Sequence, residues 1–439
     1  MGNMTKIEQE PLGTIPKGFV YRDQTRRYPW WVKSVDKITT EIDESTWKRK
    51  VTDQIQMGLL GNPEQAKKDA KKAVQKIAER ISNDVPGNQL KDLSLHYAST
   101  TFFAGGVSNF EGNFITHMFA IMKAASKVIH PPEELGVSRW EGSPEEASEM
   151  VETAAVHLGA SQVGFTYLEP RFLEHNVYID SSVEEITNTD DGKVLIPEQM
   201  KYVVMVAGQT PLEAMKYAPS QIGDMADRSG YEDRQMVWFR MMNFIRGLGY
   251  QAIPLPAAMP PDIPFGLMAG MGEIGRMNRL ISPYYGGALR LAGILTDMPL
   301  ALDKPIDFGL QEYCRHCRKC AKVCPAKSIS FDKDPTWEPQ SQYSLPGKKV
   351  WYENTENCWD WTARNGYYCA ACLFACTWTK DDQTFLHTLA RISAAKLPFL
   401  GKYLAWLDDL FGYGPVPKKN LGDWWQKMRP KSGIKPKHR

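Results

Sequence analysis

The sequence predicts an α/β protein: a core of alternating helices and strands, followed by a small module organised by cysteine. Three observations lead there. Apolar periodicity switches between the helical and the strand repeat from about residue 145 to 300. All eight cysteines fall between Cys314 and Cys376. The length, 439 residues, allows a large core and one to three domains.

Residues 1–50 read as irregular, with Pro11, Pro16 and Pro29 and the pair Trp30-Trp31. A helix is predicted at about 62–82. Asn62 can cap it, Pro63 suits its first turn, and Ala66, Ala70, Val74, Ile77 and Ile81 form one apolar stripe opposite a solvated face of lysines. Glu145 to Leu158 reads as a helix and Gln162 to Tyr167 as a strand. The Val-rich run Tyr202 to Ala207 has the character of a buried strand. Gln235 to Gly247 is helical, and Tyr250 to Pro254 is again strand-like. Gly266 to Gly287 is glycine-rich, with an Ala-Gly-Met-Gly turn at 269–272, but it is neither a dinucleotide fingerprint nor a Walker loop. It serves close packing or a wall against a bound cofactor; the cysteines that follow favour the wall.

Composition excludes some classes. With 53 basic and 51 acidic residues the formal charge is +2, without the basic excess of a nucleic-acid binder. Thirteen tryptophans suit either core or an apolar pocket around a flat cofactor. No stretch reaches the ~20 apolar residues of a transmembrane helix. Arg290 and Asp297 break the run 286–302, and Lys402, Asp408 and Asp409 break the run 397–411. The sequence therefore describes a soluble protein. Arg26-Arg27 is not followed by the apolar core of an export leader.

The cysteines set the chemistry. Cys314, Cys317, Cys320 and Cys324, followed by Pro325, have the C-x2-C-x2-C-x3-C-P spacing of bacterial ferredoxins. Its short loop turns three thiolates onto one cubane, and the fourth, starting the next helix, serves a second. Cys369, Cys372 and Cys376 repeat the end of the motif, with Cys358 standing apart and Thr377 in place of the proline. By pseudo-symmetry Cys314, Cys317, Cys320 and Cys376 hold cluster one. Cys324, Cys358, Cys369 and Cys372 hold cluster two. Two zinc sites are the competing reading, but they do not need the proline-terminated triplet. A two-cluster carrier needs only some 60 residues, and more than 300 precede Cys314 here. The clusters are thus expected to feed a second redox centre in the larger part.

The chain resembles the corrinoid-dependent reductive dehalogenases. The residues concerned are Gly249-Tyr250-Gln251-Ala252-Ile253-Pro254, the 269–272 turn with Arg276-Met277, Met298-Pro299-Leu300, and Asp303 to Gly309 leading into Cys314. Gly366 to Cys369 and Gly412-Tyr413-Gly414 also fit. The resemblance implies a nitroreductase-like corrinoid-binding domain with a ferredoxin-like module. It implies a base-off corrinoid, in keeping with the missing D-x-H-x-x-G cobalamin motif. The implied boundaries are 1–140 covering the corrinoid pocket, 141–305 the corrinoid-binding core, 306–385 the cluster module and 386–439 an extension packing on the core.

The same resemblance assigns Tyr231 as proton donor and Arg290 as its partner. Replacing carbon–halogen by carbon–hydrogen takes two electrons and one proton, and a cation beside a phenol favours the phenolate left behind. Read in isolation, Tyr231 is a surface residue in a charged loop before a helix, and Arg290 a helix salt-bridge residue. Tyr368, Trp361 and Ala257 are expected to line the corrinoid or substrate pocket; packing over a cluster is an equal reading of Tyr368. Ala257 replaces a polar amide of some members, and Thr362 stands where a tryptophan can pack, so substrate preference departs from the pattern. Small Ala257 leans toward compact chlorinated aliphatics. The partners implied are a small organohalide, a low-potential electron donor and a small integral membrane anchor. The implied location is the outer face of the cytoplasmic membrane, reached by the twin-arginine route. Two other readings are an epoxyqueuosine-reductase-like enzyme acting on transfer RNA, which the flat charge balance opposes, and a non-catalytic electron carrier without corrinoid.

Overall fold

The computed structural model describes residues 10–24, 27–49, 63–98, 130–255, 262–380, 384–415 and 418–426. The strands used below are β1 (Lys33–Ser34), β2 (Gln162–Tyr167), β3 (Tyr202–Gln209), β4 (Ala252–Pro254), β5 (Leu289–Thr296) and β6 (Ile306–Asp307). The helices are α1 (Pro63–Ser82), α2 (Leu90–Ala98), α3 (Pro144–His157), α4 (Gln221–Gly247), α5 (Leu310–His316), α6 (Lys319–Val323), α7 (Thr355–Asn365), α8 (Ala371–Ala375), α9 (Phe385–Lys396) and α10 (Gly401–Leu410).

The core is a sheet in the order β2-β3-β5-β4 with every pair antiparallel. The valines of β3 suit a strand covered on both faces, and residues 203–208 are buried. Helix α3 starts where the Ser143 hydroxyl accepts from the Glu146 N–H at 3.2 Å and the Glu146 carboxylate accepts from the Ser143 N–H at 2.8 Å. In register, Arg290 faces Gly208 and Leu289 faces Gln209.

Helix α4 begins at Gln221, not at Gln235, so Tyr231 lies within the helix rather than in a loop before it. Residues 221–234 look polar because their charges are satisfied inside the protein. Arg228 Nε donates to Asp224 at 3.1 Å one turn away, and Asp227 pairs with Arg290. Glycine then allows close approach. A Cβ on Gly208 would lie 2.6 Å from Arg234 N, and one on Gly230 would lie 2.7 Å from Thr210 Oγ1 and 3.3 Å from Arg290 Cγ. Helix and sheet therefore meet almost backbone to backbone next to Tyr231. Arg290 belongs to β5, not to a helix, and its run is a buried strand. Among the described residues no helix is long and apolar enough to cross a membrane.

The glycine-rich stretch packs closely at Gly270 and Gly272. A Cβ would come within 2.4 Å of the Lys304 carbonyl oxygen at Gly270, where φ is +66°, and within 2.3 Å of that of Ile281 at Gly272. Helix α1 is present, but its packed face is turned from the expected stripe: Val74 is 61% exposed while Ala73 is buried. Ala73 and Ile77 rest on Gly366 at the end of α7. Asn62 and the side chains of Ala66 and Ala70 lie outside the described residues.

The cysteine module joins this core through β1, which pairs with β6, and through Trp31, whose ring meets Phe308 and Trp378. Cys324 follows α6 as its cap rather than starting a helix. The segment from residue 386 was expected to pack on the core; α9 and α10 instead pack on α5 of the cysteine module. The physical reason is a buried polar lock. Asp408 accepts from Lys319 Nζ at 3.2 Å and from Lys380 Nζ at 2.7 Å, and Lys319 also donates to the Tyr413 carbonyl at 2.8 Å. Among the described residues of this segment, Lys418–Gln426 returns to the core, with Leu421 in the same buried cluster as Leu212, Met215 and Ile222.

Candidate active site

The eight cysteines gather in two sets, and none forms a disulfide. Burial pushes the Cys314 and Cys320 thiols up, and so do neighbouring thiols, among them Cys317 and Cys376. Burial raises Cys358 to about 11 and Cys369 to about 12; both neighbour Cys324, and Cys372 neighbours Cys369, Cys358 and Cys324. Cys320 also senses Cys372, so the two sets adjoin. The local fold explains the gathering. Cys314 and Cys320 ride on α5 and α6, Cys358 and Cys372 on α7 and α8, and the remaining four sit at helix ends or in connections. Arg276 fixes the first loop by donating to the Cys314 carbonyl through Nη2 at 2.6 Å and to the Cys317 carbonyl through Nε at 3.1 Å.

A column of aromatic and cationic groups leads from the second set into the core. The Tyr368 ring lies under Arg228, with Cζ 4.5 Å from the centroid, and meets Trp359 edge-on at 6.0 Å. Burial pushes the Tyr368 hydroxyl up to about 12, with Arg228 opposing and Tyr231 among its neighbours. Tyr231 in turn packs against two guanidinium groups: Arg290 Cζ lies 5.1 Å from the ring centroid and Arg234 Cζ 5.2 Å. Arg290 is held by Asp227 and by its donation to the Leu289 carbonyl at 2.7 Å. Burial pushes its guanidinium down to about 10, against the raising influence of Cys372, so it remains a cation at neutral pH.

The structure thus brings Tyr231, Arg290 and Tyr368 together beside the second cysteine set. Trp361 is not part of this column: its ring meets Tyr367 at 5.7 Å, under Arg80 of α1. Ala257 lies outside the described residues. Asp224, Asp227, Arg228 and Arg234 were not singled out from the sequence. Their spacing was the available signal, because 224, 227/228, 231 and 234 recur at three or four and so share one helix face. Among the described residues, Gln209 Nε2, Thr210 Oγ1, Arg234 Nε and Arg290 Nε are buried at this end of the sheet without a hydrogen-bond partner. Such atoms require a partner, and an amide-fringed ligand would supply it.

This is the architecture of an iron–sulfur redox protein, and residues 313–379 match the model of a 4Fe-4S dicluster domain. Residues 27–177 and 170–300 match the model described as reductive dehalogenase subunit, and with more than half the chain covered it belongs to that family. A tetrachloroethene reductive dehalogenase of Desulfitobacterium hafniense is 36% identical over 220 residues, 49% of this chain and 40% of that protein. One of Dehalobacter restrictus is 32% identical over 306 residues, 62% of this chain and 55% of that protein. The chain thus spans about half the length of the curated relatives it matches. A solved reductive dehalogenase, described in connection with B12-dependent dehalogenation, shares the fold with TM-score 0.63. It is 24% identical, and the match covers 96% of this chain and 52% of that one.

Proposed function

We propose that this chain is the redox core of a reductive dehalogenase that replaces carbon–chlorine by carbon–hydrogen on a small chlorinated aliphatic. The relatives named for tetrachloroethene support that substrate class. The observation that carries the reading is Tyr231 set against the Arg290 and Arg234 cations, one aromatic step from the second cysteine set.

In this reading Cys314, Cys317, Cys320 and Cys376 ligate one cubane, and Cys324, Cys358, Cys369 and Cys372 the other. Buried thiols crowded together resist ionisation, and iron ligation removes the protons and shares the charge. Gln209, Thr210 and Arg290 would help to hold a corrinoid beside Tyr231, and that group, when bound, would supply the two-electron reduction of the carbon–halogen bond. The chain supplies the proton and the environment. Tyr231 donates from its hydroxyl to the developing carbanion, and Arg290 and Arg234 hold the phenolate charge until it is reprotonated. Asp227 orients Arg290. Chloride leaves, so two electrons and one proton balance the exchange. Tyr368 and Trp359 pack edge-on between the second cysteine set and Tyr231.

The same reading includes a low-potential electron donor, a small integral membrane anchor, and export by the twin-arginine route to the outer face of the cytoplasmic membrane. Its support there is the family resemblance. The test is direct. Protein purified without oxygen and supplied with corrinoid should carry about eight iron atoms per chain and release chloride from tetrachloroethene when a reduced viologen is the donor. Clusters without corrinoid uptake would leave an electron carrier, and full loading without chloride release would overturn the reading.

A further inference from the structure

Helices α9 and α10 are amphipathic in the reverse of the usual sense. Their inner face, against the cysteine module, is rich in polar groups: His387, Arg391 and Asp408 are buried beside Ala394 and Ala405. Asp408 is locked to Lys319 and Lys380, and His387 Nε2 lies 2.6 Å from the Tyr413 hydroxyl. Their outer face is apolar. Phe385, Phe399, Tyr403, Trp406, Leu410 and Phe411 are each between 60% and 75% exposed. Large aromatic and leucine side chains gathered on one outer face mark a contact surface, since monomers in water rarely carry such a patch.

The charge on that face selects the occupant. Among described residues 384–415 the exposed charged side chains are Lys396, Lys402 and Asp409. Asp409 is spent on Lys319, 3.3 Å away. Lys396 lies over the ring of Trp30, itself 73% exposed, at 5.1 Å, so that tryptophan extends the patch at its edge. A rim of lysine around tryptophan, tyrosine, phenylalanine and leucine complements anionic headgroups over an acyl boundary, and it is not complementary to itself. Neither helix is long enough to span, at 12 and 10 residues.

We propose that the α9–α10 face lies in the plane of an anionic lipid bilayer, with Phe399, Trp406 and Leu410 inserted and Lys396 and Lys402 at the headgroups. The surface sits directly over the first cysteine set, because a Cβ on Gly401 would lie 3.0 Å from Cys317 N. Cluster one, in the reading above, then faces the membrane and receives electrons from that side, while Tyr231 and the second set lie further in. The lipid contact itself does not depend on the corrinoid chemistry.

The test is flotation of the cluster-loaded full chain with vesicles of phosphatidylcholine alone and of phosphatidylcholine with phosphatidylglycerol. The protein should float with the anionic vesicles and far less with the neutral ones. Phe399→Ser, Trp406→Ser and Leu410→Ser together should lower the apparent lipid affinity on the order of tenfold or more. Lys396→Glu with Lys402→Glu should abolish the preference for anionic lipid. Iron content and viologen-driven turnover, measured on the same samples, should match the parent in both variants. The proposal is overturned if the parent floats with neither vesicle, or if the serine variant floats like the parent. A solution dimer that the serine substitutions dissociate would overturn it in favour of a second copy. Loss of turnover in a parent that still floats would count against the dehalogenase reading alone.

Discussion

Asp408→Asn removes one negative charge from the lock between the cluster module and its C-terminal helices. Asp408 is 7% exposed, Lys319 1% and Lys380 3%, so the carboxylate offsets two ammonium groups in a nearly dry site. The strain is already visible in Lys380, which burial pushes down although Asp408 opposes it. Leaving buried charges without a counter-ion costs about 3–5 kcal/mol, and Asp409, 3.3 Å from Lys319 but half exposed, recovers little of it. With an unfolding entropy of ~2.1 cal/mol/K per residue, a chain of this size loses about 1 °C per kcal/mol. The expected fall is therefore about 3–5 °C, read by anaerobic thermal denaturation with iron release followed in parallel. Lys319→Met, Lys380→Met and Asp408→Leu together should recover most of it, because an apolar set of similar volume carries no desolvation cost. A shift below about 1 °C in Asp408→Asn, or a triple variant worse than the single, would refute the reasoning.

Two further outcomes follow from the site and its supports. Asp227→Asn should leave the clusters intact but let the Arg290 guanidinium move, lowering turnover by roughly 10–100-fold with a smaller change in KM; an unchanged turnover number would remove Asp227 from any positioning role. Glu273, buried and accepting from the Phe308 N–H at 2.8 Å at the entry to α5, is pushed by burial from 4.5 up to about 7. The fold thus favours its neutral form: its contribution is complete below about pH 4.5 and is lost as pH rises through about 7, a difference of about 3 kcal/mol. Melting points from pH 5 to 8 should fall more steeply in the parent than in Glu273→Gln, and parallel curves would contradict this.

Much of the fold was legible because its signals are local. The ferredoxin spacing, the valine run of β3 and the capping of α3 each declare themselves within a few residues. The first half of α4 did not. Its apolar pattern is broken by Asp224, Asp227 and Arg228, whose partners lie on the same turn or on β5, so only the folded protein reveals why they are tolerated. Tyr231 was assigned by resemblance, yet for this reason it was placed in a loop before the helix rather than within it. The pairing of the aromatics was not legible, because two aromatic pairs adjoin Cys369, and the chain alone cannot say that Trp359 pairs with Tyr368 and Trp361 with Tyr367. The packing of α10 on the cysteine module was hidden likewise, since an aspartate shared by lysines 28 and 89 residues away has no local signature.

The central claim is that Tyr231 supplies the proton that completes dehalogenation. Tyr231→Phe keeps the ring between Arg290 and Arg234 and removes only the hydroxyl. Single-turnover and steady-state chloride release should be measured on enzyme shown to hold its full iron and corrinoid. General acid catalysis is worth ~10²–10⁴-fold, so the variant should release chloride at least ~100-fold more slowly with its cofactors still reducible. A fully loaded Tyr231→Phe enzyme that dehalogenates at the parent rate would contradict the account.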